Sequence, residues 1–200
     1  MKVTISRLFD DVIEAQRAIH RLRQAGVEHD EISLVANNSD KWFAPDLKGA
    51  AEKGAAVGAG FGGFGGLLVG LGLLAVPGIG EVVAVGWLAA ALTGAVAAGA
   101  AGSVIGMLAE TGVATNEAEV YAESIRRGGS LVTARVEEAE RSRLEAELDP
   151  SSVNVAHRCD HLTSSGWAGF DRDAPSLTED EVARERARHP VGQADANARP

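Results

Sequence analysis

The chain has a single cysteine, Cys159, in 200 residues. No internal disulfide is open to it, which fits a reducing compartment. Positive charge is also scarce: 19 Lys and Arg stand against 28 Asp and Glu, a formal net charge of −9. That balance argues against a nucleic-acid partner and against charge-driven docking on anionic lipid. The opening MKVTISRLFDD lacks the apolar run of a secretory signal. No Ser-His-Asp order, paired-carboxylate motif or P-loop is visible in the sequence. The expectation is therefore a chain with no catalytic residue, no cofactor, no metal and no small-molecule substrate. Charged residues make up 24%, close to the folded-protein average, so the chain reads as one or two folded domains with a disordered fringe.

Glycine is abundant, with 24 copies, and it is concentrated in Gly54–Leu108, a stretch whose only charged residue is Glu81. Gly54, Gly58, Gly62, Gly66 and Gly70 recur every four residues. Beyond Pro77-Gly78 the small residues Gly86, Ala90, Gly94, Ala98, Gly102 and Gly106 do the same. On a helix such positions share one face and let two backbones approach closely. Pro77, Gly78 and Gly80 suit a turn. The pattern predicts an antiparallel, Gly-zipper helical hairpin with these eleven residues as its packing stripes. Its first arm, Gly54 to Val76, holds nine glycines, a helix penalty of about 9 kcal/mol. An outside constraint must offset that, either a bilayer or burial among identical hairpins. As helices, both arms are long enough to cross a hydrocarbon core of about 30 Å. Lys48 and Lys53 precede the first arm, and the turn carries only Glu81, which places both ends on the cytoplasmic side if the hairpin inserts.

The flanks read as α+β. Residues 2–8 alternate Val3 and Ile5 with Thr4 and Ser6, a strand pattern. Asp10 and Asp11 offer an N-cap. Val12, Ala15, Ile19 and Leu22 form a helical stripe ending near Gly26, and Ile32, Leu34 and Ala36 alternate again. Residues 37–53 form a linker. Within it Trp42 and Phe43 suit a membrane interface and a small-domain core equally. After the hairpin, Thr115 caps a helix with Glu117 and Glu119 in its first turn, and Gly128-Gly129 ends it. Residues 130–136 form a strand, 137–148 a short polar helix, and Val153 and Val155 mark a fourth strand. Two βαβ halves in series predict a ferredoxin-like sandwich with helices on one face of an antiparallel sheet, interrupted by the Gly/Ala-rich hairpin. The expected divisions are 1–36, 37–53, 54–108, 109–158 and a C-terminal extension, 159–200. In the extension Trp167 and Phe170 dock on the domain, Thr178 with Glu181 opens a short helix through about Arg188, and 190–200 is disordered.

Three segments carry a resemblance: the N-terminal βαβ, PGIGEVVAVGWLAAALTGA, and NEAEVYAESIRRGGSLVTARV. Over roughly residues 2–157 the chain resembles the bacterial heat-induced, general stress protein family of the YflT type. WAGFD is similar to C-terminal extensions of proteobacterial members. The resemblance implies a stress-associated bacterial protein and implies no catalytic residues.

Other motifs carry less. Gly58, Gly60 and Gly63 fit a dinucleotide fingerprint, but helical residues precede them and the downstream acid, Glu81, sits in a turn. HRCDH brings His157, Cys159, Asp160 and His161 together; strand alternation would align His157, Cys159 and His161, one ligand short of a structural zinc site. Cys159 lacks a visible activating pocket. Arg184, Arg186 and Arg188 alternate with acids and read as a solvated face. The expected function is a non-enzymatic, stress-associated protein of the bacterial inner membrane, with both termini cytoplasmic and partners limited to the bilayer and further copies of itself. The alternatives are a cytoplasmic homo-oligomer whose hairpins bury one another, and a ligand-sensing module.

Overall fold

The computed structural model describes residues 1–39, 41–43, 72–97 and 103–188. They form an α+β domain around one five-stranded antiparallel sheet, with strand order β1-β5-β2-β4-β3. The strands are β1 (Lys2–Phe9), β2 (Ile32–Asn37), β3 (Gly72–Val76), β4 (Gly80–Val85) and β5 (Ser130–Glu137). The helices are α1 (Val12–Gln24), α2 (Trp87–Ala97), α3 (Ser103–Glu110), α4 (Thr115–Arg126), α5 (Arg141–Leu148), α6 (Val155–Ser164) and α7 (Glu179–Arg188).

The N-terminal βαβ forms as its pattern predicts. The side chain of Asp11 accepts from the Glu14 amide at 2.8 Å and caps α1. The apolar stripe of α1 (Ala15, Ala18, Ile19 and Leu22) is buried. β1 and β2 flank β5, which is antiparallel to both. Register places Ile5, Ala134 and Ile32 on one face, together with Leu34 and Val132. α1 and α5 cover that face. The other face presents Leu8, Leu131 and Val35 to α2, α3 and α4. Helices therefore lie on both faces, not on one as expected. The reason is that α2, α3 and α4 supply an apolar layer of their own.

The helical hairpin is corrected over residues 72–85. Pro77-Gly78 does turn the chain, but between strands: the Ile79 amide donates to the Val76 carbonyl at 3.0 Å. Pro77 and Gly78 are the two central residues, with Gly78 at φ +76°, as a type II turn requires. The β-branched run Val82, Val83, Val85 is buried throughout and pairs with β2. A strand covered on both faces shows no alternation, and a short apolar run of that kind does not separate strand from helix.

The fourth strand is also corrected. No strand forms there: residues 152–154 are irregular, and a single bond, from the Val153 amide to the Leu8 carbonyl at 2.8 Å, reaches the sheet edge. Asn154 then caps α6, its side chain accepting from the His157 amide at 3.1 Å. Val155 packs against the core, and Arg158 and Leu162 are buried along the same helix. Trp42 and Phe43 belong to the domain: Phe43 is 5% exposed in the core, and Trp42 Nε1 donates to the Asn37 carbonyl at 2.6 Å.

Candidate functional site

β1 is an edge strand among the described residues. In a β-strand, successive residues direct their backbone groups to opposite sides. The Leu8 carbonyl points outward to Val153, and the Met1 carbonyl points inward, accepting from the Glu138 amide at 3.0 Å. Lys2, Thr4 and Ser6 therefore share the outward direction of Leu8. After the Val153 bond the chain turns away into α6 at the Asn154 cap, and among the described residues no strand pairs with this side of β1.

The open edge forms the floor of a groove of about 580 Å³, running from Lys2 to Arg7. Arg141 and Glu145 of α5 wall one side. The α3–α4 turn (Glu110–Val113), Glu117 and Tyr121 of α4, and Trp87 wall the other. The sheet face below that second wall is polar: Thr4 and Ser6 lie opposite Arg135 and Thr133.

The groove cations are neutralised locally. Arg7 Nε meets Asp149 at 2.7 Å, and Arg7 also donates to the Ser6 carbonyl at 2.9 Å. Arg141 meets Glu145 at 3.2 Å. Glu31 receives both Lys2 and Arg135, the latter at 2.6 Å. The Lys2 hydrogen bond, with Arg135 adding to it, holds the Glu31 carboxyl below the usual carboxylate range. Arg135 also lies 4.9 Å from the centre of the Trp87 ring, within cation–π range. The Tyr121 hydroxyl donates to Glu117 at 2.6 Å, and burial, reinforced by that carboxylate, pushes its pKa up and keeps it a neutral phenol. Ser6 Oγ, Thr133 Oγ1 and Trp87 Nε1 are buried with no hydrogen-bond partner among the described residues. The groove thus offers backbone donors and acceptors, a polar floor and aromatic walls, an arrangement suited to binding.

The residues singled out in the sequence lie elsewhere. Gly54, Gly58, Gly62, Gly66, Gly70, Ala98 and Gly102 fall outside the described residues, as do the dinucleotide-like glycines and 190–200. Gly86 sits in the β4–α2 turn at φ +84° and is not helical. Ala90 and Gly94 lie in α2 and Gly106 in α3; Ala90 and Gly106 are exposed. Glu81 is exposed on β4. His157, Cys159 and His161 belong to α6, not to a strand, so the two histidines share a face that Cys159 leaves. Among the described residues no three His, Cys, Asp or Glu side chains gather to hold a metal, and no helix is long and apolar enough to cross a membrane. The groove itself was missed because its openness depends on residues 153–155 turning away from the sheet edge. The Asn154 cap and the Val155/Leu162 spacing were the available signals.

Comparison with protein-family models, curated proteins and solved structures returns no match. The resemblance to the stress-protein family rests on the sequence segments alone.

Proposed function

We propose that the chain is a non-enzymatic, self-associating module, in a stress-associated setting as the sequence resemblance implies. In this reading it assembles by pairing β1 of one copy antiparallel with β1 of another. The observation that carries it is the outward backbone of Lys2, Thr4 and Ser6, which pairs with no strand among the described residues, beside a single bond from Val153 to Leu8. A two-fold axis at Thr4 sets Thr4 opposite Thr4 and Lys2 opposite Ser6. Main-chain donors and acceptors then meet across the axis at about 1 kcal/mol each. The Ser6 carbonyl keeps a second lone pair beside Arg7. Val3 and Ile5 pair across the join on one face and Thr4 with Thr4 on the other, both favourable cross-strand combinations. The approach is open at this end, where Met1 is 96% exposed. The domain then resembles one ferredoxin-like half, β1-α1-β2 around β5, whose missing fourth strand comes from another copy.

Light scattering coupled to size exclusion tests the pairing with Thr4→Pro. Proline is tolerated on an edge whose N–H faces outward, so each copy still folds. The parent runs as a dimer or larger and Thr4→Pro as a monomer. Equal mass for the two proteins sinks the proposal.

The expected membrane hairpin now requires a rearrangement. Phe43 and the β3–β4 pair that starts at Gly72 belong to the same sheet-centred body. Residues 44–71 are too few for two helical crossings of about 20 residues each. Insertion of both arms would have to strip β3, β4, α2 and α3 from the domain. Retention in a carbonate-washed membrane pellet would establish that stripping and displace the edge-pairing reading.

A small polar ligand is the second reading, favoured by the partnerless Ser6 Oγ and Trp87 Nε1 and by a groove volume in the usual range of ligand pockets. Such a ligand stabilises Thr4→Pro and the parent alike, by mass action on the folded state.

A further inference from the structure

A second concavity, independent of β1, lies where α7 meets the end of α4. α7 seats on Gly128, at φ +108°, where a Cβ would stand 2.7 Å from Val182 Cγ1. Val182 is fully buried, and Arg186 Nε donates to the Gly128 carbonyl at 3.0 Å. This docking brings two arginine-bearing segments together around a cavity of about 270 Å³ lined by Arg126, Arg127, Arg184 and Arg188, with Glu181 and Glu185.

The carboxylates are already engaged. One oxygen of Glu181 accepts from both the amide and the hydroxyl of Thr178, at 2.8 Å each, as the capping box of α7. Glu185 receives Arg127 at 3.0 Å and also Arg188 at 2.5 Å. Three of the guanidiniums are engaged as well: Arg126 donates to Glu123 and to the Pro175 carbonyl, Arg127 to Glu123 and Glu185, and Arg188 to Glu185, but spare N–H groups remain. Arg126 Nε is buried with no partner among the described residues. Arg184 makes no hydrogen bond among the described residues, and it contributes only charge, felt at Glu181. Four positive side chains against two negative ones leave the cavity two charges positive, and adding adjacent Arg186 and Glu123 leaves that balance unchanged. The negative end of the α4 dipole opposes an anion here, but it amounts to only about half a charge. Such a concentration stands out in a chain of net charge −9.

We propose that this cavity binds a small phosphate-class oxyanion, orthophosphate or pyrophosphate, and that the anion fastens α7 to α4. Planar guanidiniums match phosphate oxygens two at a time. The volume lies below the usual range for drug-sized ligands, which selects a small anion over a nucleotide. The sequence hides the site because Arg184 and Arg188 alternate with acids along α7, and only the fold sets them beside Arg126 and Arg127.

Isothermal titration of the full chain with orthophosphate and with pyrophosphate, in about 0.15 M chloride to screen loose association, tests the site. Binding is expected with at least one of the two anions. Arg184→Gln should weaken it by about tenfold or more, with an unchanged urea midpoint, since Arg184 holds nothing in the fold. Arg184→Lys should fall between the two, because it keeps the charge but not the fork. Bound anion should also slow proteolysis within residues 179–188. Absence of heat with both anions, or equal affinity in the parent and Arg184→Gln, overturns the proposal.

Discussion

Gly86→Ala separates the two conformations considered for the 82–108 segment, because they predict opposite signs. In the interior of a Gly-zipper helix, alanine stabilises by about 1 kcal/mol relative to glycine. In the β4–α2 turn, Gly86 sits at φ +84°, and an added Cβ would lie 2.6 Å from Ser33 Oγ and closer still to the Ile32 carbonyl oxygen. The left-handed backbone costs a non-glycine residue roughly 1–2 kcal/mol. The clash adds about 1–3 kcal/mol, since β2 is a central strand with little room to move. Ser33 Oγ also accepts the Leu88 amide at 3.1 Å; losing that bond forfeits about 1 kcal/mol. The sum is a loss of roughly 3–6 kcal/mol. Urea denaturation reads it: with a slope of about 2 kcal/mol per molar, the midpoint falls by roughly 2 M. An unchanged or raised midpoint would refute the turn assignment and return the segment to a helix.

Two further outcomes follow from buried charge. Glu123, with 2% of its side chain exposed, accepts from Arg126 at 3.2 Å and Arg127 at 2.6 Å; Glu123→Ala strands two half-buried guanidiniums and should cost about 3 kcal/mol in the same urea assay. Glu31 has its carboxyl pKa depressed in the folded state by Lys2 and Arg135, so its contribution is present at neutral pH and is lost as pH falls through the folded value. His29 is lowered from 6.5, chiefly by burial and then by the Arg23 charge. The fold therefore favours its neutral form, and that stability too is lost on acidification. The urea midpoint should fall as pH drops, and Glu31→Gln should flatten the acid limb; an unchanged acid limb in that variant contradicts the assignment.

Much of the outer framework was legible because its signals are local. The β1 and β2 alternations, the Asp11 cap, the Gly128-Gly129 stop and the Thr178–Glu181 capping box all appear at their expected places. The turn at Pro77-Gly78 was legible as a turn but not as a strand turn. Val82–Val85 is buried on both faces, so the two-residue period that marks a half-exposed strand is missing. The four-residue spacing of Gly86, Ala90 and Gly94 suggested one helix, whereas Gly86 serves a left-handed turn and α2 starts one residue later. Val153 and Val155 mimicked strand alternation, yet Asn154 between them offers a helix cap, and the cap prevailed. Neither the β1 edge nor the arginine cavity was readable in advance, because each depends on residues far apart in sequence coming together: Leu8 bonded to Val153, and Arg126 lining one cavity with Arg184 and Arg188.

Amide hydrogen exchange along β1, followed as protein concentration is raised, tests the edge-pairing claim most directly. Val3 and Ile5 face β5 and serve as internal controls, protected at every concentration. Thr4 and Ser6 face outward, and edge pairing predicts that their amides exchange quickly in dilute protein and slow markedly as copies associate. Fast exchange at Thr4 and Ser6 at all concentrations, with Val3 and Ile5 protected, would contradict it.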